Sequence, residues 1–274
     1  MSHQFGKVDW MMKDLSKFSG GMVPRVKHGM VSVRGWDPNK FQVYDAEHLS
    51  DVENLKSVSI TGMPHALNLD ALAQVGPLES LELEIFQLDP VDILERIDPS
   101  ELRFLRLSNT APNKLDLGVL PRFSKLEELT ISGQRKNLQS VGQLETLKRL
   151  TIGLVAKSGC DFLSGLKNLE VLKLLLGGQG DIGNVHCPSL KELEVVRVRG
   201  LSDLGDLSRF PNLQGLRIEN QPRLTCLHAS RPMQNLTAIT VFSCPKITRF
   251  IGGNNLPNLR DYESYDTPLI LPVA

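Results

Sequence analysis

The sequence predicts an α/β solenoid, in which each coil contributes one short parallel strand and returns through an irregular or short helical segment. The first observation is that the pattern L-x-x-L-x-L, with Ile, Val or Tyr in place of some leucines, recurs ten times at steps of 21 to 24 residues. The second is that the end of each unit alternates apolar with other residues, which is typical of a strand with one buried face. The remaining dozen or so residues of each unit are too few for a long crossover helix.

The ten units extend over most of the chain. They begin at Leu55, Leu78, Leu102, Leu126, Leu147, Leu169, Leu190, Leu213, Leu236 and Leu259. The residue three places before each unit is mostly apolar, and we expect it to fill the return side of the coil. Gly, Pro, Asn and Ser in the returns are typical of turns, so the returns are predicted to hold short helical turns, 3₁₀ turns or extended segments. The best candidate for a helical turn follows Asp89 as N-cap, with Pro90 at its first position.

On these ten in-register units, from Leu55 to about Tyr265, the sequence resembles the leucine-rich repeat proteins. The resemblance implies a right-handed solenoid, curved as a horseshoe or arc, with a concave parallel β-sheet and a mostly irregular or short-helical convex side. Many members of the family carry Asn or Cys three residues after the last strand leucine, and these side chains form a ladder. Here that column reads Met63, Phe86, Thr110, Gln134, Val155, Gly177, Val198, Gln221, Cys244 and Thr267. We therefore expect the ladder to be absent or degenerate.

An array of this kind needs its terminal coils covered. We expect residues 1–54 to form an N-terminal cap, residues 55–265 the repeat array, and residues 266–274 a C-terminal capping tail. Within 8–18 an amphipathic helix is predicted, with Trp10, Met11, Leu15 and Phe18 on one face. A membrane or partner helix is the alternative, but the segment is neither strongly basic nor long. Residues 28–33 resemble a degenerate strand of the same cap.

One segment spells a dinucleotide-binding fingerprint, with glycines at Gly178, Gly180 and Gly183. Such a site needs a helix after the last glycine, with the pyrophosphate at its N-terminus. The next strand is predicted near Leu190, which leaves no room for that helix. We interpret the segment as a solenoid turn in which Ile182 and Val185 point inward, and we predict no cofactor.

Composition limits the classes of partner and compartment. Formal net charge is zero, with 31 basic and 31 acidic residues, so nothing favours nucleic acid or an anionic membrane. The N-terminus lacks the apolar core of a secretory signal, and no apolar run is long enough to span a membrane. The four cysteines show no metal or disulfide spacing. We expect a cytoplasmic protein.

No catalytic constellation is apparent. The six histidines fall in different repeats without metal-ligand spacing, and no nucleophile motif occurs. His186 and Cys187 are the nearest to a reactive pair, but Cys187 occupies a column that is apolar elsewhere and is interpreted as a core residue. Cys160 and Cys226 are expected in turns on the outer side. We predict that the chain is not an enzyme and has no small-molecule substrate.

What remains is the exposed face of the predicted sheet. An apolar island with charged neighbours is expected on three successive strands, and a second apolar pair lies near the C-terminus. The predicted partner-binding residues are Val171, Lys173, Leu175, Glu194, Val196, Arg217, Phe242 and Tyr265. Clustered apolar residues on such a face are typical of a docking site.

The leading hypothesis is a non-enzymatic protein-binding module with a regulatory, adaptor or inhibitor and immunity-type role. Its partner would be another protein, with no nucleic acid, membrane or small molecule involved. Two alternatives stay open at this point. The chain could be the recognition portion of a cytosolic immune receptor, or the substrate-delivery part of an effector enzyme whose catalytic domain lies elsewhere.

Overall fold

The computed structural model describes residues 25–27, 29–35, 43–155, 159–178 and 181–271. These residues belong to two units, the first comprising 1–126 with 131–138 and the second comprising 127–130 with 139–274. The helix predicted within 8–18 lies outside the described residues, as does His28.

The described strands of the first unit form a mainly parallel sheet. They are β1 (Arg25–Lys27), β2 (Met30–Arg34), β3 (Val43–Asp45), β4 (Ser57–Leu67), β5 (Ser80–Gln87) and β6 (Phe104–Ser108). Strands β2, β4, β5 and β6 are parallel neighbours in that order. Strand β1 pairs with β2 in antiparallel fashion, and β3 pairs with the end of β4. The returns carry 3₁₀ helices at Glu47–Asp51, Leu69–Ala73 and Leu120–Arg122, and a short helix α1 at Ile93–Arg96.

The second unit repeats the same plan more regularly. Its strands are β8 (Arg149–Val155), β9 (Val171–Gly177), β10 (Glu192–Val198), β11 (Gly215–Glu219), β12 (Cys226–His228), β13 (Ala238–Phe242), β14 (Arg249–Ile251) and β15 (Asp261–Tyr265). Strands β8, β9, β10, β11, β13 and β15 are parallel neighbours in that order. Strands β12 and β14 pair separately, on the return side. Its 3₁₀ helices are Asp161–Gly165, Leu207–Arg209 and Gly253–Asn255. Strand β7 (Glu128–Ser132) and the 3₁₀ helix Leu138–Gln143 each have residues in both units.

The repeat pattern explains the core of each coil. Strand residues alternate in exposure, so that Leu172 and Leu174 are buried while Lys173 between them is partly exposed. The apolar residue before each unit closes the coil from the return side, as Phe210 does before Leu213. Full burial of a leucine side chain stabilises the fold by about 1.5–3 kcal/mol. The predicted parallel strands and short returns are therefore confirmed.

The helical turn begins later than the sequence predicts. Helix α1 starts at Ile93 with Asp92 as its N-cap, and that side chain makes no capping hydrogen bond. Asp92 instead accepts a hydrogen bond from Arg96, one turn further along the helix. The assignment of Asp89 and Pro90 to the helix start was wrong, because the buried residues that fix the helix, Ile93 and Leu94, lie after them.

In many coils a residue in the left-handed conformation lies within the strand or directly after it. These residues share φ values between 50° and 90°. Five of them directly follow their strands, namely Asn109, Gly133, Asn220, Ser243 and Asp266, whereas Gly62, Leu176 and Arg197 lie inside β4, β9 and β10. Such a residue breaks the alternation of the strand, as a bulge does. In most of these coils the next side chain consequently turns back into the coil, where Thr110, Gln134 and Gln221 are buried.

Strand β5 lacks this left-handed residue, and its exposure pattern shows the consequence. The register between β4 and β5 shifts between Ile60 and Met63, so that Met63 is paired with Ile85. Ile85 is buried, whereas Phe86 is 60% exposed. The assignment of Phe86 to the ladder column was therefore wrong by one residue.

The ladder column is irregular in composition, as the sequence predicts, but its polar members make hydrogen bonds between coils. Thr110 donates from Oγ1 to the carbonyl oxygen of Leu83 at 2.5 Å, and Gln134 donates from Nε2 to the carbonyl oxygen of Thr110 at 2.7 Å. Gln221 donates from Nε2 to the carbonyl oxygen of Val195 at 3.2 Å. A buried carbonyl without a donor costs free energy. Threonine and glutamine therefore donate here to carbonyl oxygens of the preceding coil, the role that asparagine has in a regular ladder.

Candidate binding surface

The second unit brings six of the eight sequence-predicted site residues together on three neighbouring strands. The register aligns Lys173 with Glu194 and Glu194 with Arg217, and it aligns Leu175 with Val196. Parallel strands lie about 4.8 Å apart, so aligned side chains on one face are immediate neighbours. Val171 starts the β9 row but is only 7% exposed, so it contributes little accessible surface. We call Lys173, Leu175, Glu194, Val196 and Arg217 the strand-face patch.

The charges of the strand-face patch pair with one another. Lys173 Nζ lies 2.8 Å from Glu194 Oε2, and Arg217 Nε lies 3.6 Å from Glu194 Oε1. Arg217 also donates from Nη2 to Glu219 Oε2 at 2.9 Å. Each of these exposed pairs stabilises the fold by only about 0–1 kcal/mol. The two cations of the patch are thus matched by Glu194 within it and by the neighbouring Glu219.

The apolar part of the strand-face patch is partly open. Leu175 and Val196 are each partly exposed, and they occupy aligned positions on β9 and β10. Next to Leu175, Leu176 is 42% exposed and has a φ of 59°. Leu176 was not predicted to be exposed, because strict alternation would have turned it inward. The Gly, Asn or Asp at the equivalent position of other coils was the sequence signal that could have identified it.

The second predicted apolar pair lies two strands further along the sheet. Phe242 on β13 is aligned with Tyr265 on β15, and Tyr265 is 74% exposed. The guanidinium carbon of Arg217 lies 5.7 Å from the centroid of the Phe242 ring, within the range of a cation–π contact. Phe242 thus contacts Arg217 of the strand-face patch. In the register, Glu219 lies between Val196 of the patch and Phe242.

Comparison with known proteins agrees on the architecture. No protein-family model matches the sequence, and a sequence comparison with curated proteins finds no match. Among solved structures, an internalin (inlF) from Listeria monocytogenes is similar over 93% of this chain and 94% of its own, with 14% identity and a TM-score of 0.52. The TLR13–ssRNA13 complex is similar over 83% of this chain and 38% of the TLR13 chain, with 20% identity and a TM-score of 0.57. This chain has the leucine-rich repeat fold.

Three of the four cysteines, Cys160, Cys187 and Cys244, are buried in the leucine-rich repeat coils. Cys187 is fully buried and donates from Sγ to the carbonyl oxygen of Leu163 at 3.3 Å, as its column predicts. Cys160 is also buried and directly precedes the 3₁₀ helix Asp161–Gly165 of a return, whereas Cys226 lies on strand β12 and not in a turn. Burial raises the pKa of the Cys160 and Cys187 thiols to about 11. Neither thiol is poised as a nucleophile at neutral pH.

Of the glycine-rich segment after β9, residues 179 and 180 lie outside the described residues, and the chain that follows from Asp181 forms a turn. Ile182 and Val185 are both buried, as the sequence predicts. Between residues 181 and 191 the chain contains turns and a single β-bridge from Asp181 to Asp203, and no helix begins there. In the described part of the chain, no cluster of histidine, cysteine, aspartate or glutamate has the geometry of a metal site. Across the same residues, no helix has the length and apolar character needed to cross a membrane.

Proposed function

We propose that this chain is a non-enzymatic binding module that docks a protein partner on the strand-face patch. The observation that carries the proposal is the partly exposed apolar pair Leu175 and Val196, flanked by the paired charges of Lys173, Glu194 and Arg217. An apolar centre with a polar rim is the usual anatomy of a protein interface. A few central residues of such an interface supply most of the binding free energy.

The pairing of the rim charges bears on the kind of partner. Because Glu194 contacts both Lys173 and Arg217, a partner gains little by presenting one sign of charge to this surface. Binding would depend on a complementary apolar side chain seated over Leu175 and Val196. Its affinity should change little with ionic strength, since salt screens exposed charges and not apolar contacts.

A protein fits this surface better than a nucleic acid does. Nucleic acid binding depends on several uncompensated Lys or Arg side chains, whereas the two cations of the patch are offset by Glu194 and the neighbouring Glu219. The TLR13 structure is a complex with RNA, but at 20% identity the likeness concerns the fold alone. We propose no small-molecule or membrane ligand for the patch.

The proposal includes the organisation and setting of the chain. Residues 55–265 form the repeat array, and 1–54 and 266–274 form its caps. Support for the second cap comes from Leu269 and Leu271, which are buried, and from Tyr262, whose hydroxyl donates to the carbonyl oxygen of Leu269 at 2.6 Å. The four cysteines form no disulfide, which supports a reducing, cytoplasmic setting.

The experiment that tests the docking surface begins with capture of partners from the native host and mass spectrometry. The affinity of the leading partner is then measured for the parent protein, for Leu175→Glu and for Ile251→Glu. The control places the same charge at another exposed apolar residue of the second unit, which is 44% exposed on β14. We expect Leu175→Glu to weaken binding by at least about 2 kcal/mol and Ile251→Glu to leave it unchanged. Equal affinities for all three proteins, with equal melting temperatures, would place the partner elsewhere.

A further inference from the structure

A second surface of the leucine-rich repeat chain lies on the return segments of the second unit. Residues from three successive returns, around His186, Ser208 to Asn212 and Arg231 to Asn235, line an open groove of about 630 Å³. Its apolar lining includes Pro211, Pro232 and the buried side chain of Met233. The strand-face patch contributes no residue to it.

The groove is lined by cationic side chains and by no acidic one. Two arginines, Arg209 and Arg231, line it, and none of the ten residues that line it in the described part of the chain is a carboxylate. The whole chain has equal numbers of acidic and basic residues, so this local excess is a property of the groove and not of the composition.

Arg209 is a fixed charge at this groove. Its guanidinium donates to four carbonyl oxygens, those of Val185, Ile182, Leu204 and Asp206, at 2.6–3.0 Å. It also stacks over Phe210, with 4.3 Å between the guanidinium carbon and the ring centroid. The carbonyl oxygens orient the side chain, and the carboxylates of Asp206 and Asp203 interact favourably with its positive charge. The role of Arg209 could not be predicted from the sequence, because its partners are backbone carbonyls at scattered positions of its own return and the preceding one.

The carboxylate of Asp206 does not line the groove and is hydrogen-bonded to two serines. Asp206 accepts hydrogen bonds from the backbone N–H and the hydroxyl of Ser208, and from the same two groups of Ser230. Arg231 follows Ser230 directly and is exposed. Its one hydrogen bond is long, 3.4 Å from Nη2 to the carbonyl oxygen of Ser208. No ion pair involves Arg231 within the described residues, so its charge is available to a ligand.

We propose that this groove binds an acidic peptide segment of a protein partner, with a carboxylate of the segment paired to Arg231. The proline and methionine lining accommodates an extended backbone, and the exposed guanidinium of Arg231 supplies the positive charge beside it. Complementary charge is what gives such a contact its specificity and its association rate. The inference goes beyond the strand-face patch and does not depend on it.

The test uses a fluorescein-labelled peptide in which glutamate alternates with glycine, and a control peptide with glutamine in place of glutamate. Fluorescence anisotropy measures binding to the full chain, to Arg231→Glu and to Arg260→Glu. The last variant makes the same change of charge at an exposed arginine outside the groove. We expect the glutamate peptide to bind more tightly than the glutamine peptide, and Arg231→Glu to weaken it at least about fivefold more than Arg260→Glu does.

Ionic strength gives a second readout. Raising it from about 0.01 M to about 0.15 M shortens the Debye length from about 30 Å to about 8 Å, so binding of the glutamate peptide should weaken. Equal binding of the two peptides, or equal effects of the two arginine variants, would overturn the proposal. So would a single-stranded RNA oligomer that binds more tightly than the glutamate peptide and loses that binding in Arg231→Glu.

Discussion

The side-chain amide of Gln134 donates a hydrogen bond of 2.7 Å to the carbonyl oxygen of Thr110, which lies 24 positions earlier in the chain. The amide oxygen of Gln134 accepts in turn from the backbone N–H of Ser132 at 2.7 Å. One buried side chain therefore satisfies a donor of its own coil and an acceptor of the preceding coil. This contact holds the spacing of two repeats in the way that a ladder asparagine does in more regular members of the fold.

Gln134→Leu should destabilise the protein. The substitution keeps most of the side-chain volume but leaves the Thr110 carbonyl and the Ser132 N–H without this partner, at a cost of about 1–3 kcal/mol. Urea denaturation followed by circular dichroism measures the free energy of unfolding. Gln74→Leu is the control because Gln74 is exposed in the same unit, and it should change stability by less than about 0.5 kcal/mol. Equal effects of the two variants would show that the ladder contact is not stabilising.

The sequence predicts the solenoid because two periods reinforce each other. Leucines such as Leu172 and Leu174 alternate within a strand, and the same pattern returns one coil later at Leu193 and Val195. The strand-face patch is predicted from the same repeat spacing, since equivalent positions of successive units must be neighbours in a parallel sheet.

The ladder and the return-side groove were less accessible to sequence reasoning. Column counting assumes one geometry for every coil, and β5 departs from it at Phe86. Gly62, Asn109, Gly133, Asn220 and Asp266 did carry a signal, because these residue types tolerate a positive φ. Arg209 carried none, since its carbonyl partners are backbone groups that any residue would provide.

Leu172→Ala should strongly destabilise the second unit. Leu172 is fully buried, so the truncation removes buried apolar surface and leaves a cavity, at a cost of about 2–5 kcal/mol. Leu176→Ala is a control four residues away, where the side chain is 42% exposed. Thermal and denaturant unfolding of both variants would measure the difference. A loss below about 0.5 kcal/mol for Leu172→Ala would contradict its place in the core.

Glycine substitutions at neighbouring leucines should have opposite effects. Leu176 has a φ of 59°, a conformation that costs a residue with a Cβ roughly 1–2 kcal/mol. Leu176→Gly removes that strain. It also raises the conformational entropy of the unfolded chain, which offsets about 0.4–1 kcal/mol of the gain in stability. We expect stability to be unchanged or to rise by up to about 1 kcal/mol.

Leu175→Gly is the matched comparison, because Leu175 lies within β9 and is paired with Val196 and Gly153. Glycine in a strand loses side-chain packing and conformational restriction, so this variant should be less stable by at least about 0.5 kcal/mol. Denaturant midpoints that fall by the same amount in both variants would argue against strain at Leu176.

Asp206 should make the stability of the second unit depend on pH. Burial by itself raises the pKa of this carboxyl group, but hydrogen bonds from the hydroxyls and backbone N–H groups of Ser230 and Ser208 outweigh it and hold the pKa well below its usual range. A carboxyl group whose pKa is depressed in the folded state contributes stability above its unfolded pKa of about 3.9. That contribution is lost as the pH falls toward the folded pKa, because the unfolded state binds the proton first.

The free energy of unfolding should therefore fall as the pH is lowered from about 5 toward the folded pKa, and Asp206→Asn should flatten the part of that fall that comes from this group. Asparagine keeps an acceptor for one of the serine hydroxyls but cannot titrate. Asp261→Asn removes an exposed carboxylate of β15 and should leave the slope of the parent protein in place. If Asp206→Asn has the same pH slope as the parent, the serine hydrogen bonds do not favour the ionised form, and Asp206 links its two returns through neutral hydrogen bonds alone.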